Sequence, residues 1–160
     1  MRNVTVACVG KLKESYLRDA CAEYIKRLGG FCKISIIEVD EERLPEKPSQ
    51  SQIINGLMVE GRRLLAKTDS GSIRIPLCIE GESMSSPKLA QYLDGLAIHG
   101  HGNVTFLIGG SLGLSDEVKA STDFKLSMSP MTFPHQLARV MLLEQIYRAF
   151  QISSGGKYHK

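Results

Sequence analysis

The chain has 160 residues, 42% of them hydrophobic and 23% charged, which is the size and make-up of one globular domain with a core of its own. Its net charge is only +3, but residues 1–130 are balanced and the whole excess lies in the last thirty, where Arg139, Arg148, Lys157 and Lys160 face Glu144 alone. No apolar run approaches the roughly 18 residues of a membrane span, and the N-terminal apolar stretch is too short for a secretory signal. Cys8, Cys21, Cys32 and Cys78 form no C-x-x-C pair, which speaks against zinc and for reduced structural thiols in a cytosolic protein.

Taken in chain order, short β-branched runs alternate with helical patterns. Val4 to Gly10 reads as a strand, and Glu14 to Leu28 as an amphipathic helix closed by Gly29-Gly30. Lys33 to Val39 is a second strand. The stretch EERLPEKPSQ is a loop leading into a helix from about Gln52 to Lys67, with Ile53, Leu57, Leu64 and Leu65 on its apolar side. Asp69-Ser70-Gly71 is a turn before a third strand, Ile73 to Glu80. Ser86-Pro87 opens a helix to about Ile98 in cap-then-proline order. After the loop His99–Asn103 come a strand, Val104 to Ile108, and a short helix through Ala120 that Ser115 can cap. Phe124 to Met128 reads as a last strand, and Pro134 to Gln151 as the longest helix.

This alternation predicts one α/β domain over residues 1–160, with a mostly parallel sheet and helices on both faces. Ligands in such sheets sit beyond the carboxyl ends of the strands. Three loops are therefore singled out, after Ile79, after Ile108 and after Met128.

The second of these reads Gly109-Gly110-Ser111-Leu112-Gly113-Leu114-Ser115. Glycines directly after a strand let backbone N–H groups approach a ligand. No Lys-Ser/Thr follows, so it is not a phosphate loop. It is also G-G-x-x-G rather than G-x-G-x-x-G, and Asp123 comes too early to serve as a ribose-binding acid. A nicotinamide-dependent oxidoreductase is disfavoured on both counts. The third loop, Leu126 to His135, sets two prolines among serine and threonine hydroxyls, which makes it stiff. Thr132 can cap the helix that follows, with His135 near that helix's positive end. Together the two loops can wall a mostly uncharged pocket. The long helix is apolar on most faces, so one face is expected on the sheet and another on a second subunit. Beyond it, Gly155-Gly156 hinge an arm ending in Lys157-Tyr158-His159-Lys160, suited to phosphates and to stacking on a base. A non-catalytic RNA-binding module using this arm alone is the other reading these residues allow.

The segments VGKLKE, FLIGGSLGLSDEV, LSMSPMTFPHQLARVMLLEQIYRAF and the terminal YHK closely resemble the ribosomal RNA large subunit methyltransferase H family of the SPOUT superfamily, over the whole chain. The resemblance implies a C-terminal trefoil knot, against the general rule that chains do not thread. It implies a homodimer that binds S-adenosyl-L-methionine and methylates N3 of a pseudouridine in large-subunit ribosomal RNA, on the assembled ribosome. By position it implies that Leu77, Gly110, Ser129, Pro130, Met131, Thr132, Phe133 and Pro134 hold the cofactor. It further implies that Tyr158, His159 and Lys160 complete the partner subunit's active site, with Arg139 in the same motif set. His159 is then the candidate base, since imidazole titrates near neutrality; Tyr158 can stack on or orient the base, and Lys160 or Arg139 can stabilise an anion at its carbonyls.

Overall fold

The computed structural model describes residues 1–122 and 124–160; Asp123, the acid placed too early for a ribose contact, lies outside the described residues. Among these residues five strands, β1 (Arg2–Val9), β2 (Cys32–Val39), β3 (Ile73–Ser83), β4 (Asn103–Ile108) and β5 (Leu126–Ser127), alternate with five helices. The helices are α1 (Ser15–Leu28), α2 (Gln50–Lys67), α3 (Ser86–Ile98), α4 (Asp116–Ala120) and α5 (His135–Ser153). The strands form one sheet in the order β2-β1-β4-β3-β5, and each adjacent pair runs parallel.

The period-2 alternation of β1 and β4 divides the core. Val4, Val6 and Cys8 of β1, with Val104, Phe106 and Ile108 of β4, pack against α1, α3 and α5 through Leu28, Leu93, Leu142 and Ile146. Ala7, Val9 and Leu107 point the other way, onto Leu64 of α2 and Val118 of α4. Both faces of the sheet are covered, as an all-parallel sheet requires. Phe106 has no exposed surface, so truncating it to alanine should cost about 3–5 kcal/mol.

Several boundaries differ from the sequence reading for identifiable reasons. Helix α2 begins two residues early because Ser49 and Gln52 form a reciprocal capping box. Ser85, not Ser86, caps α3 by accepting from the Lys88 amide. Ser115 caps α4 as expected, accepting from Val118 N at 3.2 Å. Helix α5 carries no side-chain cap, so Thr132 does not cap it. Strand β3 runs on to Ser83 through a bulge between Leu77 and Glu82. That bulge leaves β5 only two paired residues instead of the expected five. Phe124 turns out of the ladder and packs on Tyr92 of α3, ring centroids 4.5 Å apart.

Candidate functional site

Two of the three singled-out loops meet, those after β4 and β5; the loop expected after Ile79 does not form there, because β3 continues to Ser83. Leu77–Ile79 within β3, Ile108–Ser111 and Gly113 at and after the end of β4, and Met128, Ser129 and Met131–His135 after β5 line a cavity of about 610 Å³, closed on one side by Ala138 of α5. Of the residues placed at the cofactor, Leu77, Gly110, Ser129, Met131, Thr132, Phe133 and Pro134 line it. Pro130 sits in the same loop, exposed, and outside the lining.

The glycine loop is tight for a steric reason. Gly110 and Gly113 form an antiparallel bridge, with Gly113 N donating to Gly110 O at 3.0 Å. A Cβ on Gly109 would stand 2.2 Å from the Gly113 carbonyl oxygen, so only glycine fits there. The following loop is held from within: Ser129 Oγ accepts from Met131 N at 3.0 Å, and Ser127 Oγ donates to Ser129 O at 3.2 Å. Among the described residues, no lysine or arginine lines the cavity. Its walls offer apolar side chains, hydroxyls and backbone groups, which suit an adenine and a ribose without phosphate. These residues fit S-adenosylmethionine.

The ionisable groups lining the cavity are Cys78 and His135. Burial raises the Cys78 thiol above its ordinary range, so it is a neutral wall rather than a nucleophile. Burial lowers His135 below its ordinary value, Arg139 adds to the effect, and Glu41, with Oε1 3.8 Å from Nε2, partly offsets it. His135 is thus neutral at neutral pH. The sequence placed it only near the positive end of α5; its position directly after the Ser129–Pro134 run was the available signal.

Arg139, one turn further along α5, does not line this cavity. Its side chain is nearly fully buried, with Nη1 donating to Glu38 Oε2 at 2.7 Å and Nη2 to the Gly10 carbonyl at 3.2 Å. Gly10, at φ +89°, makes room for Glu41 just past the end of β2: a Cβ there would meet Glu41 Oε1 at 2.8 Å. His135 and Arg139, one helical turn apart, are therefore set against Glu41 and Glu38.

The C-terminal arm folds back on the far half of α5. Tyr158 Oη donates to Glu144 Oε1 at 3.1 Å, and its ring stands edge-on to Tyr147 and under the Arg148 guanidinium. Burial, with hydrogen bonds to Tyr24 and Glu144, pushes the Tyr158 phenol up to about 12. It is a proton donor at neutral pH. Glu144 also accepts from Arg148, through Nε at 2.9 Å and through Nη2, while Gln145 Nε2 donates to its other oxygen at 2.9 Å. His159 Nδ1 lies 3.1 Å from Arg148 Nη1. Arginine can only donate, so Nδ1 accepts and the imidazole proton is on Nε2. Lys160 is exposed at the terminus. Arg148 lies thirteen residues past His135, about 20 Å along the helix. Within one chain, the arm and the cavity are held apart.

No group of three or more His, Cys, Asp or Glu stands close enough to hold a metal ion among the described residues. No helix there is long and apolar enough to cross a membrane.

The sequence model of a family described as "Predicted SPOUT methyltransferase" matches residues 2–159. The ribosomal RNA large subunit methyltransferase H of Clostridium acetobutylicum is 48% identical over 158 residues, 99% of each chain. That of Oenococcus oeni is 48% identical over the full length of both chains, and that of Clostridioides difficile is 47% identical over 158 residues, 99% of each chain. Among solved structures, a probable methylase family protein from Haemophilus influenzae Rd KW20 superposes with a TM-score of 0.55 at 13% identity, covering 98% of this chain and 70% of that one. That likeness concerns the fold alone.

Proposed function

The chain belongs to the SPOUT methyltransferase family and, within it, to the ribosomal RNA large subunit methyltransferase H family, and from that premise we propose that it is a cytoplasmic, S-adenosylmethionine-dependent enzyme that methylates N3 of a pseudouridine in large-subunit ribosomal RNA, as a homodimer acting on the assembled ribosome. The observation that carries this reading is the convergence of the loops after β4 and β5 with Leu77–Ile79 of β3 on one cavity that, among the described residues, no lysine or arginine lines. The knotted path implied by the resemblance belongs to the same proposal.

S-adenosylmethionine, when bound, supplies a methyl group already activated as a sulfonium. The protein's work is then alignment and the handling of one proton. Gly110 offers backbone at the closest approach, and Ser129 to Pro134 form the stiff wall that fixes where the methyl points. The pseudouridine N3–H must lose its proton before the nitrogen can attack. A partner subunit's arm is the source of a base, because each chain's own arm is docked about 20 Å from its own cavity. In a dimer whose two α5 helices run antiparallel, the far half of one faces the near half of the other. His159 then takes the N3 proton, once its Nδ1 is released from Arg148 or through a shift of tautomer. Tyr158, protonated, orients the base by donation or stacking, and Lys160 stabilises negative charge on the carbonyl oxygens. Arg139, committed to Glu38 and Gly10, acts as a positioning residue for the first turns of α5.

A net charge of +3 gives few phosphate contacts and weak binding to naked RNA, which favours a substrate recognised by the shape of the ribosome. The test is methyl transfer to intact ribosomes against a short hairpin of the same sequence, read by mass spectrometry of nucleosides. Ribosomes should be methylated and the hairpin far more slowly; equal rates would remove the requirement for assembly. Thermal shift should show stabilisation by S-adenosylmethionine and S-adenosylhomocysteine and none by NAD. A His159→Ala variant should lose more than about tenfold in single-turnover rate, since general-base catalysis contributes at least about 10²-fold. A smaller loss would move the proton to another group.

A further inference from the structure

Glu41 stands just past the end of β2, beside the cofactor cavity without lining it. Its Oε1 lies 3.8 Å from His135 Nε2, and a Cβ built on Gly110 would fall 3.8 Å from the same oxygen. Both of these neighbours belong to the cavity wall. Gly10, lacking a side chain, leaves the notch in which the carboxylate sits.

This carboxylate is uncommitted where its neighbours are not. Glu38 is paired with Arg139, Glu42 with Arg63, and Glu60 accepts from the Glu42 amide at 2.9 Å. Among the described residues, Glu41 has one ion-pair partner, His135, at 3.8 Å, beyond hydrogen-bond reach. Burial holds that imidazole neutral, so it does not cancel the charge. A full negative charge therefore stands beside a cavity whose own wall, among the described residues, carries none.

The chemistry of the cofactor makes such a charge selective. In S-adenosylmethionine the ammonium and carboxylate of the amino-acid end cancel, and the sulfonium is the uncompensated charge. Taking a cation out of water without a counter-charge is costly, and a wall of apolar groups, hydroxyls and backbone supplies none. On transfer the N3 electron pair forms the new bond to the methyl carbon, while the pair of the broken S–CH3 bond stays on sulfur. Nitrogen thereby loses its negative charge and sulfur its positive one. A carboxylate close by holds the donor and has no such hold on the product.

We propose that Glu41 is a specificity-determining residue, the counter-charge by which this cavity prefers the sulfonium donor to its thioether product. The proposal rests on the reading of the cavity as the S-adenosylmethionine site, and adds to it how spent cofactor is exchanged for fresh. Direct contact with sulfur is not needed. At the dielectric of a protein surface, a unit charge several ångströms away changes affinity for a cation by about tenfold or more. Half of the Glu41 side chain is exposed, and solvent screening keeps the effect near the lower figure.

The test is calorimetric binding of S-adenosylmethionine and of S-adenosylhomocysteine to the full-length protein. Wild type is compared with Glu41→Gln, which keeps the shape and removes the charge, and with Glu46→Gln, which removes an exposed acid from the same loop. Glu41→Gln should weaken donor binding about tenfold and leave product binding within about twofold; Glu46→Gln should shift neither. Equal losses for the two ligands overturn the proposal and assign Glu41 to the ammonium they share, and no loss for either overturns it as well. A Glu41→Gln, Lys160→Ala pair tests whether Glu41 works through a partner subunit's arm. The lost preference should be the same in the Lys160→Ala background, and its disappearance there overturns the proposal. Should Glu41→Gln fail to fold, wild type alone decides: rising salt should weaken donor binding more than product binding, and a donor preference independent of salt overturns the proposal. A wild-type protein that binds neither ligand would instead defeat the cofactor reading on which it rests.

Discussion

Gly109→Ala adds one methyl group on the cavity wall, against the main chain of Gly113. Its Cβ would fall 2.2 Å from the Gly113 carbonyl oxygen, 2.3 Å from the carbonyl carbon and 2.9 Å from Leu114 N. Carbon contacts are most favourable at about 3.5–4.0 Å, so the loop must open by more than about 1 Å. Every atom in the way is main chain, and the Gly110–Gly113 bridge ties that chain down, so no flexible side chain can give. Overpacking costs about 1–3 kcal/mol, and backbone neighbours place this case at the upper end. For a chain of this length that lowers the melting temperature by about 6–12 °C. Opening the loop also moves Gly110 and Ser111, both on the cavity wall, so affinity for S-adenosylhomocysteine should fall at least tenfold by calorimetry. Gly95→Ala is the control: it lies within α3, nothing stands within 4 Å of its added Cβ, and it should stabilise by about 0.5–1 kcal/mol. If Gly109→Ala melts within 1 °C of wild type and binds cofactor within about twofold, the steric account of this loop is wrong.

Arg139→Ala should lower stability by about 2–3 kcal/mol in urea titration, since it strips a charged donor from Glu38 and the Gly10 carbonyl; unchanged stability would return Arg139 to a direct role in the chemistry. For His135, the unfolded side chain protonates near 6.5 while burial holds the folded one lower, so its contribution is full above that value and lost as the pH falls through the interval between the two. Glu41 and Arg139 face it. Melting temperature and cofactor affinity should both drop with pH in that window, and His135→Gln should flatten this component. Cys8, buried and with its thiol pushed up to about 12, should resist alkylation until the protein unfolds. Cys78 should react slowly and be protected further by S-adenosylhomocysteine, because it lines the cavity; no protection would argue against cofactor at this wall. Removing residues 158–160 should leave cofactor binding intact and abolish methyl transfer, with activity regained in mixtures with a second variant defective only in the cavity.

Much of this protein is written in local pattern. Alternating apolar residues in β1 and β4, the cap at Ser115 and the glycines after β4 each depend on neighbours a few residues away. The α/β class and the loops beyond β4 and β5 are therefore readable from one chain; the eight cofactor positions are implied by the family resemblance instead, and seven of them line one cavity. What local pattern does not contain is pairing between distant segments. The bulge in β3 shortens β5 because of register across 40 residues, and Phe124 leaves the ladder for Tyr92 of α3. Arg139 and His135 lie in the same motif, yet one turn of α5 sends the first to Glu38 and leaves the second on the cavity, because side chains four apart on a helix meet different partners once the sheet edge is in place. The surplus charge at the C-terminus is visible in composition. Only the tertiary structure divides it into a buried cation that braces α5, an Arg148–Glu144 pair that docks Tyr158, and a free end at Lys160, since burial and ion pairing are settled by which distant segments meet.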